Sequence, residues 1–195
     1  MALLQKSIEK RDALLKATLS LVTNGGIQSA SMAKVAKIAS VSPATIYLYF
    51  DSKQDLVNQL YLNIKNAFAN AAFENYILEE GVYISFKKIW LAMANYKLEN
   101  KEEASFLSQC DNSPMIDENT RHEGLKALDP LFGLWEMGQN QGLIKGMSPY
   151  LLYAYAIYPM AFLMNMESRG INPLNETILE EAFVAAWDSI SEKES

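Results

Sequence analysis

A single cysteine and a single histidine in 195 residues leave this chain little with which to do thiol or metal chemistry. One cysteine, Cys110, cannot build an internal disulfide framework and suits a reducing compartment, which points to the cytoplasm. His122 lies in the polar run Arg121-His122-Glu123. Together with Cys110 it makes neither a zinc set nor a nucleophile–base pair. No phosphate-cradling glycine loop and no dinucleotide fingerprint occurs. The carboxylates are plentiful but fall where solvated helix faces are expected. No metal, no cofactor and no catalytic residue is therefore expected, so the chain does not read as an enzyme.

Other absences narrow the fold. No alternating polar–apolar run appears, so strands are not expected and the fold class reads as all-α. There is no repeat and no low-complexity stretch, and half of the residues are hydrophobic, enough for a sizeable core. The start, MALLQKSIEKRD, has no long apolar run and no cleavage site, so it does not read as a secretory signal. Without one, the sequon Asn175-Glu176-Thr177 reads as chance. One uncharged run, GMSPYLLYAYAIYPMAFLMNM at 146–166, is long enough for a membrane span. Pro149, Pro159, Ser148, Asn165 and four tyrosines argue against that, and no second such run exists. A helix apolar all round is also what a buried or subunit-interface helix looks like, and that reading is preferred.

What is present is concentrated in SMAKVAKIASVSPATIYLYFDSK, residues 31–53. Met32, Val35, Ala36 and Ala39 fall on one helical face behind the N-cap candidate Ser31. Ser40-Val41 interrupts the pattern. Ser42-Pro43 restarts it, with Ser42 as N-cap and Pro43 at the first helical position. Ile46 and Phe50, four apart, point inward, while Thr45 and Tyr49 point elsewhere, flanked by Tyr47. Two short helices joined by a tight turn make a helix-turn-helix, whose second helix can lie in a DNA major groove. Before it, a helix over about 7–24 is stopped by Gly25-Gly26. Lys6, Lys10 and Arg11 at its start could reach a phosphate. After it, Ser52 and Asp55 form a capping-box-like start for a fourth helix of about 20 residues carrying Leu56, Leu60, Ile64 and Phe68.

The run Arg11 to Leu56 resembles the DNA-binding domain of the tetracycline-repressor-like (TetR) family. The resemblance rests on Arg11, Leu14-Leu15, Ala17, Gly26, Ser31, Val35-Ala36, Val41-Ser42, Thr45-Ile46-Tyr47, Tyr49-Phe50, Lys53 and Leu56. Ser40 stands where a turn glycine is usual, so a strained backbone is expected there. The resemblance implies a DNA-binding domain over 1–54 and a helical effector-binding and dimerisation domain over 55–195, joined by the fourth helix. It also implies DNA contacts from Ser42, Pro43, Ala44, Thr45, Tyr47, Tyr49 and Lys53. Ser31, Lys34 and Lys37 could assist. The hydroxyls and Lys53 suit phosphates, whereas Pro43 and Ala44 offer only apolar contact. No Arg, Asn or Gln stands in the second helix to pair with a base edge.

Charge divides accordingly. Residues 1–65 hold eight Lys/Arg and four Asp/Glu, a net of +4, and the remainder nets −10. Only the basic head can supply phosphate neutralisation. The body reads as helices near 80–99, 101–112, 117–141, 148–169 and 175–191, with a kink or restart at Asp129-Pro130. The resemblance places a homodimer interface on the last two, including Tyr158, Phe162, Phe183, Trp187 and Ile190. Trp90, Met93, Phe106, Cys110, Trp135, Tyr155 and Phe162 are the candidate lining of an apolar pocket for a small-molecule effector of unknown class, largely hydrophobic. Two functions stand at this point. One is a cytoplasmic dimeric regulator, most simply a repressor, that binds a double-stranded DNA operator. The other is a helical small-molecule-binding or interaction protein without specific DNA binding.

Overall fold

The computed structural model describes residues 2–77, 80–111, 113–171 and 173–193. In chain order the elements begin with α1 (Ala2–Gly25), a short 3-10 turn (Ile27–Ser29), α2 (Met32–Ile38), α3 (Pro43–Ile46) and α4 (Lys53–Phe73). There follow α5 (Val82–Glu99), α6 (Lys101–Asp111), α7 (Glu118–Lys126), α8 (Asp129–Asn140), α9 (Pro149–Ala156), α10 (Pro159–Ser168) and α11 (Glu176–Ile190). Among the described residues the β pairing is confined to one isolated bridge, Ile144 with Ser191. The fold is all-helical.

The chain packs as two compact units, and neither is a continuous stretch. One comprises the residues up to Lys65 together with Lys101–Gly124; the other comprises Asn66–Asn100 and Leu125 onward. This differs from a division between residues 54 and 55. The reason is burial: Leu56, Val57, Leu60, Tyr61 and Ile64 of α4 are sunk in the same core as Leu14 and Val22 of α1 and Val35 of α2. Phe106, Leu107 and Cys110 of α6 complete that core.

In the first unit, α1 runs out at Gly26, whose φ of 70° admits the turn. Ser29 closes the corner by donating its hydroxyl to the carbonyls of Leu21 and Gly26. The Arg121 guanidinium donates to the carbonyls of Cys110 and Ser113, satisfying acceptors that the end of α6 leaves free. Gly124 lies flat against Tyr61, where a Cβ would approach the ring to 2.6 Å.

In the second unit, Phe86, Trp90, Trp135 and Phe183 form an aromatic centre, with Phe86 5.8 Å from Phe183 and 5.9 Å from Trp135. The Trp90 indole donates to the Ala156 carbonyl at 2.8 Å. One expected restart is present and one helix expected as continuous is broken. The 117–141 segment restarts at α8 with Pro130 in its first turn, and the 148–169 segment breaks at Pro159 into α9 and α10. Proline supplies no N–H to the preceding turn and its ring clashes with it, so a new helix begins there. Among the described residues, no helix is long and apolar enough to cross a membrane.

Candidate nucleic-acid interface

The helix-turn-helix is built by its caps. Ser31 accepts from the Lys34 amide and Ser42 from the Thr45 amide at 3.1 Å, each starting a helix where an orphan donor would otherwise remain. Pro43 occupies the first turn of α3. The turn between the helices passes through Ser40 with φ 56°, the left-handed backbone foreseen at a non-glycine residue. Val35, Ala36, Ile46 and Phe50 are buried and fix both helices on α1 and α4. The start of α4 is capped by Ser52, which accepts from the Asp55 amide, while Asp55 accepts from Asp51 rather than from Ser52 itself.

What faces outward follows from what faces in. Ser31, Lys34, Lys37, Ile38, Ser42, Pro43, Ala44, Tyr47 and Leu48 are exposed; Thr45, Tyr49 and Lys53 are half-buried. The structure separates the polar candidates by availability. The hydroxyls of Ser42 and Thr45 pair at 2.7 Å within the cap. The Tyr49 phenol turns back toward α1, where Ser7 donates to it at 3.2 Å. Tyr47 keeps its ring 57 % exposed. Arg11, considered as a phosphate ligand, instead donates to Gln59 at 2.8 Å and stacks over Phe50, a bracing role between α1 and α4. Leu48 is 82 % exposed.

Folding also redistributes charge. Residues 101–124 bring two Lys/Arg and six Asp/Glu into the first unit, cancelling the +4 of residues 1–65. The positive charge is therefore not a property of the whole unit: Lys34 and Lys37 carry it on α2, Lys53 at the start of α4, and Lys6, Lys10 and Lys16 along α1.

This arrangement recurs in known proteins. Residues 14–60 match the family model described as bacterial regulatory proteins, tetR family. Residues 82–191, more than half of the chain, match the tetracyclin repressor-like C-terminal domain. The chain belongs to the TetR family. An HTH-type transcriptional regulator from Haemophilus influenzae is 24% identical over 95% of this chain and 98% of its own. A TetR-family transcription regulator from Marinobacter aquaeolei VT8 has a similar fold, with a TM-score of 0.90, 24% identity and coverage of 97% of this chain and 99% of the other. A TetR-family transcription regulator from Shewanella sp. PV-4 superposes with a TM-score of 0.88 at 20% identity, covering 94% of this chain and 99% of the other. The protein is therefore a non-enzymatic transcriptional regulator with a helix-turn-helix DNA-binding domain.

The residues expected to line an effector pocket in this TetR-family chain are divided between the two units. Trp90, Met93 and Trp135 lie in the core of the second unit, Phe106 and Cys110 in the core of the first. Tyr155 and Phe162 are on the surface. Burial pushes the Cys110 thiol up to about 12, an inert side chain. Trp135 is the informative member: its indole N–H is buried with no hydrogen-bond acceptor among the described residues. The second unit also has an open groove of about 720 Å³ lined by Asn66, Asn70, Phe73, Glu74, Ala127 and Pro130, none of them foreseen. Its polar members Asn66, Asn70 and Glu74 recur every fourth residue along α4 and just past its end.

The expected dimer residues also divide. Phe183 and Ile190 are buried within the unit, and Trp187 packs against Tyr83 and Phe86. Tyr158 and Phe162 are exposed, as are Tyr150, Leu151, Tyr155 and, on α11, Val184.

Proposed function

We propose that this TetR-family regulator is a cytoplasmic repressor that binds a palindromic operator as a homodimer and is released by a small, largely hydrophobic effector. The observation that carries the operator reading is the α2–α3 face, where Lys34, Lys37 and Tyr47 are exposed beside Lys53 on a rigidly capped helix pair. Lysines neutralise phosphates and the Tyr47 hydroxyl donates to them, so the face grips the backbone. Homodimerisation is supported by the exposed Leu151, Tyr155, Tyr158 and Phe162 along α9 and α10, which a second copy would cover. The effector reading is supported by the aromatic core of the second unit and by the buried indole N–H of Trp135, a donor that a ligand oxygen would satisfy. Binding there would release DNA by favouring a head spacing that no longer fits successive major grooves.

The test is to sequence the fragments that the purified full-length protein retains from its own genome, then to compare the recovered site with random duplex across a salt series. A recovered inverted repeat with affinity above random duplex supports the reading. Equal affinity for both at every salt concentration overturns it, leaving a helical binding protein without specific DNA recognition.

A further inference from the structure

Leu48 combines an unusual exposure with a hydrogen-bonded backbone. It is 82 % exposed, the highest value of any large hydrophobic side chain among the described residues. Its amide donates to Thr45 at 3.1 Å, and the amides of Tyr49 and Phe50 both donate to Ile46 at 3.1 Å. Ile46 and Phe50, on either side of it in sequence, are buried at 0 % and 1 %. The side chain is thus held outward by two core anchors and not by a flexible loop.

The surroundings define what it can meet. Lys34 and Lys37 are exposed on the same helix-turn-helix, and Lys53 follows at the start of α4, so a polyanion fits this face better than an apolar protein partner. Residues 42–50 contain no Arg, Lys, Asn, Gln, Asp or Glu to pair with a base edge. The Ser42 and Thr45 hydroxyls are joined to each other, and the Tyr49 phenol is held by Ser7. Tyr47 retains a hydroxyl, which a phosphate accepts from. That leaves an isobutyl group as the longest uncommitted reader. In the major groove the apolar landmark among the base edges is the C5-methyl of thymine, the other positions being hydrogen-bond donors and acceptors.

Resting on the operator-binding reading above, we propose that Leu48 is the specificity-determining residue of this face and recognises a thymine in each half-site through its methyl group. The contact selects T·A without a hydrogen bond. It also discriminates against cytosine at the same position, whose amino group would be desolvated against Leu48.

The experiment uses the full-length protein and the duplex it selects from a random pool. Each thymine is replaced in turn by deoxyuridine, which removes only the methyl group, and the Kd is measured for the native protein and for Leu48→Ala. At one thymine per half-site, deoxyuridine weakens native binding by about threefold to tenfold and leaves Leu48→Ala unaffected, in line with the loss of one buried methyl. Leu48→Ala, which removes the contact in both half-sites, loses about the square of that factor on the all-thymine duplex while melting at the native temperature. If a duplex is selected but deoxyuridine acts equally on both proteins, or on neither, the assignment of Leu48 is overturned and operator binding stands. If no duplex is selected above random sequence, both fall.

Discussion

Replacing Lys65 by methionine is expected to stabilise this protein, and the expectation can be worked from its surroundings. Lys65 is 4 % exposed on α4 in the first unit. Among the described residues its ammonium has no hydrogen-bonded or ion-paired acceptor; it lies 5.6 Å from the centre of the Tyr61 ring. Leaving a buried charged donor unsatisfied costs on the order of 1–3 kcal/mol or more. The cation–π contact returns about 0.5–2 kcal/mol. A methionine of similar length keeps the packing and removes the charge, so the net gain at pH 7 is about 1–2 kcal/mol. For a chain of this size that is a rise in Tm of about 2–8 °C.

The pH dependence gives the sharper test. Burial pushes the Lys65 amine below its ordinary 10.5, with Asp111 and Cys110 pulling partly the other way and Arg121 adding to the fall. Between the lowered value and 10.5, the unfolded chain holds a proton that the folded chain has released. Native stability therefore gains from Lys65 as pH rises through that window. Burial acts oppositely on Cys110, raised from 9.0 to about 12, and on Tyr61, also raised. Those two cost stability above about pH 9 in both proteins, with Cys110 higher still once the Lys65 charge that lowers it is gone. The difference between the melting curves of Lys65→Met and the native protein reports chiefly on Lys65, largest below its lowered value and shrinking as pH rises toward 10.5. A methionine variant that melts lower at pH 7, or a gap independent of pH, would refute the reasoning and assign Lys65 an unseen partner.

Further outcomes are expected. Phe162→Glu places a carboxylate on the exposed α10 surface and should turn a dimer into a folded monomer with weakened operator binding, read by sedimentation equilibrium and unchanged helical circular dichroism. A native protein that sediments at its chain mass of 21.9 kDa while binding the operator specifically would sink the dimer reading. Tyr47→Phe and Lys53→Ala should weaken binding to matched and mismatched duplexes alike, and Lys53→Ala should reduce the slope of log K against log salt by about 1 per head. Loss confined to the matched operator would assign them to base reading. Ser40→Gly relieves a left-handed residue worth about 1–2 kcal/mol, of which the entropy of glycine returns part. A Tm increase of about 2–4 °C is expected.

Much of the head was legible in the sequence because caps and periodicity are local. Ser31, Ser42 and Pro43 start helices where their chemistry requires, and Gly26 and Ser40 take the left-handed turns. The roles of the tyrosines were harder to read. Tyr47 and Tyr49 look alike in sequence, yet one faces outward and the other meets Ser7, a pairing across 42 residues that no local pattern encodes. The division of the effector candidates between two cores was hidden for the same reason. Phe106 and Trp90 share aromatic, helical surroundings, and only tertiary packing reveals that they belong to different cores. Pro159 carried its information plainly, but the length and apolarity of 146–166 masked the break it makes.

The discontinuity of the first unit has a consequence for protein engineering. The chain crosses between the units at 65/66, 100/101 and 124/125. A head excised at residue 54 would leave the apolar faces of α1 and α2 without Leu56, Leu60, Phe106 and Leu107, and would be expected to aggregate. Exchanging DNA specificity between relatives thus calls for a graft limited to the outward side chains of α2 and α3, or for the transfer of both segments at once. A head-swap made at a single junction would inherit the reading surface and lose the scaffold that holds it still.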